Sequence, residues 1–388
     1  GRADDAIAAY HDFIDGKNYE LPAGDEANKK LDDAYSAGPA DEPLAGGPPF
    51  PRPFHEFVAL DVQTDEGIEG IGYTALNGPL APTLKHAVDQ LGALVIGENP
   101  LRTEAVGRKL RGAAWGAAQG GVFTLAFSAI EIALWDIRGK ALGQSLAMLL
   151  GGLRDKVPAY ASGALLRSYS LEQLLKSGRV LVEKGFKQMK TQLALPGETS
   201  PRIETERIHR LREAVGPDID LMCDINTRWS VNQAIDIGRR IEDVHLYWLE
   251  DATAHDDYAG LARVADALAT PLASGECFYG ITPFRHAIEA RSLDIVMIDL
   301  FRVGGIANWM KVAGMAEAFN LPVVSHLIPE VHVHLISAIP NGLTVEYMPW
   351  SFKLFEEVPV PVNGELAVPS KPGLGLSFDR AALKRYAA

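Results

Sequence analysis

From Gly152 to about residue 347, short apolar runs alternate with amphipathic segments at a nearly constant interval, and this rhythm constrains the fold more than any other feature. The candidate strands are VPAYASGAL, FKQMKTQ, IDLMCD, LYWLED, PLASGE, DIVMID, PVVSH and LTVEY, with helical patterns at 204–215, 231–242, 256–268 and 306–319 between them. Such alternation predicts parallel strands, because a crossover helix is what returns the chain to begin the next strand in the same direction. Eight units in about 190 residues predict an α/β protein whose sheet closes into a TIM-type barrel instead of staying open and doubly wound.

The region before this barrel has a different texture. HEFVALDVQT and GIEGIGYT are rich in β-branched and aromatic residues and flank Asp65-Glu66-Gly67, which predicts a β-hairpin at 55–74. From about 81 to 150 the period becomes helical, most clearly where Phe127, Ile130, Leu134 and Ile137 recur before the stop at Gly151-Gly152. Residues 1–48 hold eleven acidic and four basic side chains, contribute −7 of the net −13, and end in a Pro- and Gly-rich run. That composition reads as a surface loop or flexible arm. The tail, 356–388, shows neither period and reads as loop.

A charge of −13 with no Lys/Arg cluster argues against nucleic acid or an anionic membrane surface as partner. No run approaches the roughly 20 apolar residues that span a bilayer, and the first residues lack a basic-then-apolar leader, so the expected address is the cytoplasm. Cys223 and Cys277 are too few for a disulfide framework and read as small buried hydrophobes.

In a barrel of this kind, chemistry sits at the C-terminal ends of the strands. Read there, the third, fourth and fifth strands end at Asp224, Glu250 and Glu276, spaced by 26 and 26 residues. Three carboxylates in one mouth repel one another unless a cation neutralises them, and hard oxygen donors select Mg²⁺ or a similar divalent ion. The sixth and seventh strands end at Asp299 and His326, a carboxylate–imidazole pair suited to general-base work. Glu346 closes the eighth strand, and Lys190 and Gln192 point to one face of the second. A single acid at a strand end is commonly a helix cap or a solvated loop residue, but five acids and a histidine at six successive ends are not explained that way. His332 and His334 read as packing residues, His55, His209, His245, His255 and His286 show no partner pattern, Gly304-Gly305 reads as a tight turn before a helix, and Arg302 as a loop residue or a support to the site.

The segments CDIN (223–226), WLED (248–251), SGE (274–276), DIVMIDLFRVGGIANW (294–309) and VVSHLIPEVHVHL (323–335) resemble the enolase superfamily, specifically its mandelate racemase subgroup, and FSAIEIALWDIRGKALGQSLAMLLGG is similar to the helix joining cap and barrel there. The resemblance spans roughly 55–380. It implies a modified (β/α)7β barrel at 153–355 under an α+β cap formed by 1–152 and the returning tail, 356–388. It implies Asp224, Glu250 and Glu276 as Mg²⁺ ligands, Asp299 and His326 as the dyad that removes a proton α to a carboxylate, Glu346 as hydrogen-bond partner of the developing enolate, and Asn226 as a substrate contact. The shared chemistry is formation of an enediolate held by Mg²⁺.

Two departures shape the functional expectation. The subgroup's second strand carries Lys-x-Lys, whereas this chain has Lys190 and then Gln192, which takes no proton and so counts as a substrate contact. A one-base reaction follows: His326 removes the α proton and returns it to the departing β-hydroxyl, while Lys190 acts electrostatically. The second departure is the acidic 1–48 segment in place of a first cap strand and specificity loop, leaving loops expected within 20–50 and near Leu76–Leu80 without assigned contacts. The expected activity is a Mg²⁺-dependent hydro-lyase acting on an aldonic or aldaric acid. The alternatives are a cycloisomerase or epimerase/racemase using the same enolate, and a non-catalytic carboxylate-binding relative. The expected partners are a small-molecule sugar or hydroxy acid and further copies of the chain, as a dimer or octamer.

Overall fold

The computed structural model describes residues 56–76, 80–117, 120–195, 197 and 200–386, together with the backbone of 8–14. The N-terminal part is a three-stranded antiparallel sheet, β1 (Ala8–Ile14), β2 (Phe57–Gln63) and β3 (Glu69–Ala75), with β2 central. The expected hairpin is β2–β3. The strand at 8–14 lies inside the segment read as an arm: its ladder with β2, from Ala8 opposite Gln63 to Ile14 opposite Phe57, supplies order that local composition does not encode. Residues 1–7 and 15–55, which include the loop expected within 20–50, and residues 77–79, within the loop expected near Leu76–Leu80, lie outside the described residues.

Helices α1 (Ala81–Ala93), α2 (Thr103–Ala113), α3 (Gly121–Leu142) and α4 (Leu146–Leu149) follow. α3 is apolar on nearly every face because it lies between the cap sheet and the barrel helices. β3 approaches it so closely that a Cβ at Gly72 would stand 1.9 Å from the Ala129 carbonyl oxygen, and one at Gly70 2.5 Å from that of Ala133. Only glycine fits at these two positions of GIEGIG.

The barrel begins at β4 (Lys156–Leu165) and continues α5 (Leu171–Glu183), β5 (Gln188–Gln192), α6 (Pro201–Val215), β6 (Asp220–Asp224), α7 (Val231–Arg240), β7 (Trp248–Glu250), α8 (Tyr258–Ala267), β8 (Leu272–Ser274), α9 (Thr282–Glu289), β9 (Ile295–Asp299), α10 (Leu300–Val303), α11 (Ile306–Ala318), β10 (Val323–His326), α12 (Pro329–Ala338) and β11 (Val345–Tyr347). The eight strands are parallel in the order β10-β9-β8-β7-β6-β5-β4-β11. The circle closes where Val323 donates to the Asn341 carbonyl at 2.8 Å and accepts from the Leu343 amide at 2.9 Å. Tyr160, Met222, Trp248, Ala273, Ile295, Met297 and Val324 fill the barrel, with Tyr160 and Trp248 edge-to-face at 5.4 Å. This plug leaves only the C-terminal mouth for chemistry.

The tail is not the plain loop expected. β12 (Glu365–Ala367) adds antiparallel to the start of β4, and α13 (Arg380–Tyr386) follows. Both are too short to show a period, and their partners lie about 200 and 300 residues earlier: Glu365 pairs with Pro158, and Arg380 with Asp61. The buried Asp136 on α3 accepts from the amides of Ile71 (2.9 Å) and Leu374 (2.8 Å), fixing sheet, helix and tail to one carboxylate. No helix among the described residues is long and apolar enough to cross a membrane.

Candidate active site

A pocket of about 570 Å³ opens at the C-terminal mouth, and Lys190, Gln192, Asp224, Asn226, Glu276, His326 and Glu346 all line it. Strand pairing explains the convergence. Lys190 is in register with Met222, Gln192 with Asp224, Asp224 with Glu250, and Asp299 with His326, so the reactive ends of neighbouring parallel strands lie level. Glu276 does not end its strand as expected. β8 stops at Ser274, and Gly275, at φ +132° with a would-be Cβ 2.4 Å from the Met297 carbonyl, turns the chain so that Glu276 faces the pocket from a loop.

The dyad is formed. His326 Nδ1 lies 2.7 Å from Asp299 Oδ2, and His326 Nε2 lies 3.2 Å from Glu276 Oε2. Asp299 also accepts from the Arg302 amide at 2.7 Å. Burial works against its charge, but Arg302 and His326 outweigh it and hold the carboxyl down at about 2. Burial would lower the His326 pKa, yet the Glu276 carboxylate and the hydrogen bond to Asp299 push it up to about 9. Arg302, which the sequence left between loop and support, donates to the Glu276 carbonyl at 2.9 Å and so ties the fifth strand's loop to the dyad.

Lys190 is fully engaged by acids, 2.5 Å from Glu250 Oε1 and 2.8 Å from Glu346 Oε1. Burial would discharge its ammonium, but the two carboxylates reverse that and keep it a fixed cation. Glu346 also accepts from the Leu327 amide at 2.6 Å, and despite burial its pKa is pulled down to about 2, chiefly by Lys190. Held ionised, it is an acceptor only. On the other wall, Asn226 donates to Asp224 through its backbone (2.7 Å) and side chain (2.6 Å), and its Oδ1 accepts from Gln192 at 3.3 Å and from Arg167.

The fit of a divalent cation rests on the donor set. Asp224 and Glu250 are buried and Glu276 half-buried. Desolvation and mutual repulsion raise the Asp224 carboxyl to about 6 and the Glu250 carboxyl well above its ordinary value. Each of their oxygens meets at most one polar side chain or amide among the described residues, and a carboxylate oxygen has lone pairs to spare. The residues therefore fit Mg²⁺ chemically. The carboxylates are not gathered equally, however: Lys190 and Trp248, whose indole nitrogen is 2.9 Å from Oε2, hold Glu250 beneath the pocket. The described residues instead bring ligand atoms of Asp251, Glu276 and Cys277 within 4.8 Å of one another. Cys277 is only half-buried, not the buried hydrophobe expected, but its thiol is pushed up to about 12 by burial and by Glu276, so it stays protonated and is a poor ligand for a hard cation. The trio matters because it places Asp251, buried and bonded to Ser274 at 2.7 Å, beside Glu276.

Sequence patterning did not single out Asp251, although it is the last letter of WLED, nor Arg167. Arg167 lies two residues beyond the end of β4, the offset at which Glu276 follows β8, so the first strand's exit carries the same signal as the others. Gly304-Gly305 is the tight turn expected, and the helix N-terminus after it is filled from within the protein: the Glu131 carboxylate accepts from the amides of Ile306 (2.7 Å) and Ala307 (2.9 Å). His332 and His334 are buried on the carbonyls of Leu327 (2.6 Å) and Leu374 (3.0 Å), as packing residues. His209 does have a partner, Asp243 at 2.9 Å, on the outer surface.

Residues 52–151 match the family described as mandelate racemase / muconate lactonizing enzyme, N-terminal domain, and residues 173–382 match the enolase C-terminal domain-like family. The chain belongs to the mandelate racemase / muconate lactonizing enzyme family of the enolase superfamily. Within this family it is similar to the L-talarate/galactarate dehydratase of Salmonella typhimurium, 30% identical over 84% of this chain and 81% of the relative. It is also similar to the 3,6-anhydro-alpha-L-galactonate cycloisomerase of Streptomyces coelicolor, 29% identical over 86% and 91%. The solved L-talarate dehydratase from Polaromonas sp. JS666, complexed with Mg and L-glucarate, superposes with a TM-score of 0.82 at 30% identity, over 86% of this chain and 92% of that one.

Proposed function

We propose that the protein is a Mg²⁺-dependent sugar-acid dehydratase that removes the proton α to a carboxylate with one base, His326, and expels the β-hydroxyl as water. The observation that carries this reading is the asymmetry of the pocket: a hydrogen-bonded His326–Asp299 dyad on one wall, and on the facing wall Gln192 tied to Asn226 with no second base among the described residues. The dehydratase names of the similar proteins support the same class of chemistry.

Asp224, Glu250 and Glu276 are the residues that would hold Mg²⁺, which, when bound, supplies positive charge that acidifies the α proton of a carboxylate substrate. The remaining roles fall to this chain's side chains. Asp299 accepts from Nδ1, fixing the tautomer that leaves Nε2 free to take the proton and stabilising the imidazolium that results. Glu276 raises the His326 pKa only while its own charge is uncompensated, so sharing that charge with a cation returns His326 toward the neutral form a base requires. Lys190 places a fixed positive charge under the substrate carboxylate or the leaving oxygen. Glu346 anchors Lys190; donating to an enolate would need a proton that this arrangement withholds.

A cycloisomerase using the same base is the second reading, favoured by the likeness to the anhydrogalactonate enzyme. A homo-oligomer, dimer or octamer, belongs to the same proposal, and light scattering on the purified protein reads it. The experiment for the activity is a panel of sugar acids with Mg²⁺, followed for 2-keto acid. Keto acid from one or a few members supports dehydration; ring-opened or epimerised product without water loss moves the reaction to isomerisation, and binding without any turnover makes the protein a carboxylate binder.

A further inference from the structure

Arg167 is buried at 8% exposure, and its charge is met by no carboxylate side chain through a hydrogen bond or ion pair among the described residues. Its two terminal nitrogens reach the carbonyls of Ile225 and Asp224, each at 3.4 Å, and the side-chain oxygen of Asn226, while Nε is buried with no partner among the described residues. Arg228 stands close enough for its charge to act against that of Arg167, lines the same pocket, is exposed, and has no side-chain partner among the described residues. Two guanidinium groups that line one pocket with like charges opposing one another, one of them desolvated, are costly unless an anion joins them. Among the protein's own charges the Asp224 carboxylate does most to offset that of Arg167, and that carboxylate is committed to the cation in the proposed site. Arg302, the third arginine of the pocket, belongs to the dyad wall and its loop.

We infer that Arg167 and Arg228 form a second anion subsite, which takes the distal carboxylate of the substrate and makes the enzyme selective for dicarboxylic sugar acids over the corresponding monoacids. The inference rests on the sugar-acid reading and narrows it: one carboxylate goes to the cation and Lys190, the other to the arginine pair at the facing wall. Guanidinium is suited to that task because it stays charged when desolvated, and the Arg228 group, whose side chain is unengaged among the described residues, can present paired donors to both carboxylate oxygens.

The test uses matched pairs of acids, a hexarate and the hexonate of the same configuration, which differ only in a carboxylate or a hydroxymethyl group at C6. With Mg²⁺ present, kcat/KM is measured on the wild type, and Kd is measured by calorimetry on the H326N variant. The expected result is a preference of about 100-fold or more for the hexarate in both quantities, since a site built for a charged group rejects the analogue lacking it. In Arg167→Gln and Arg228→Gln that preference shrinks by about tenfold or more. Arg167 also braces Asn226, so if R167Q loses activity on both acids alike, R228Q decides, since the Arg228 side chain makes no hydrogen bond or ion pair among the described residues. Equal treatment of the two acids by the wild type, or a preference that survives R228Q, overturns the inference while leaving dehydration standing. If no acid is dehydrated or bound, the sugar-acid reading itself fails, and the arginine subsite fails with it.

Discussion

His326 can act as a base only when neutral, and three groups decide whether it is. Burial favours the neutral ring, whereas Glu276 and Asp299 favour the cation and set its pKa at about 9 when no metal ion balances Glu276. Replacing it with Asn keeps a polar group of similar size but removes the proton acceptor. H326N is expected to lose about 10³-fold in turnover and in exchange of the α proton with solvent, while calorimetry still detects substrate binding in the presence of Mg²⁺. Lys190 carries a different burden. Glu250 and Glu346 are 0% and 1% exposed, and K190M would leave both without their cation, at an expected cost of about 3 kcal/mol or more by denaturant unfolding without Mg²⁺. An unchanged midpoint would mean that the two acids are held some other way. These residues were legible in the sequence because each ends, or nearly ends, a strand. Arg167 and Asp251 were not, because the unpaired charge of one and the burial of the other beside Glu276 exist only once the strands are assembled.

At the level of elements, strands β5 to β11 were readable as apolar runs even where they are three residues long, because each is followed by a strongly patterned helix or a turn. β1 and β12 escaped notice because their order comes from partners distant in sequence, Gln63 and Pro158 among them. The helix start at Ile306 shows the same limit from the other side: its glycine pair is visible in sequence, but the Glu131 that caps it is 175 residues away. Burial raises the Glu131 carboxyl from an ordinary 4.5 to about 7, against three hydrogen bonds that favour its charge. A raised folded-state value means stability that is complete below pH 4.5 and lost as pH climbs to 7, a loss of about 3 kcal/mol. Unfolding midpoints of wild type and Glu131→Gln across this range check the sign: the wild type should fall relative to the variant as pH rises from 4.5 to 7. Parallel curves would place the carboxyl at its ordinary value.

The whole molecule is a barrel whose mouth is completed by elements anchored to the cap. Tyr73 of the cap sheet donates to Glu330 at 2.5 Å, and Ser351 of the loop after β11 donates to the same carboxylate, so the turn after His326 and the loop bearing Trp350 share one anchor with β3. A cation bound only by the folded mouth stabilises this assembly by mass action. Mg²⁺ at about 100 times its dissociation constant should contribute about 2.7 kcal/mol, seen as a raised melting temperature that EDTA reverses. An Asp224→Asn variant should lose most of that shift.

In the proposed reaction a single base, on the His326 face, takes the α proton, and water then leaves. Incubating the best sugar acid with enzyme and Mg²⁺ in D₂O, and examining product and recovered substrate by proton NMR, tests both halves at once. A one-base dehydratase gives a 2-keto-3-deoxy acid carrying deuterium at C3, and recovered substrate whose α carbon keeps its configuration whether or not it has exchanged. Accumulation of the α-epimer would show a second proton donor on the Gln192 wall, and α-deuterium without any keto acid would show proton removal without loss of water; either result contradicts the one-base dehydration.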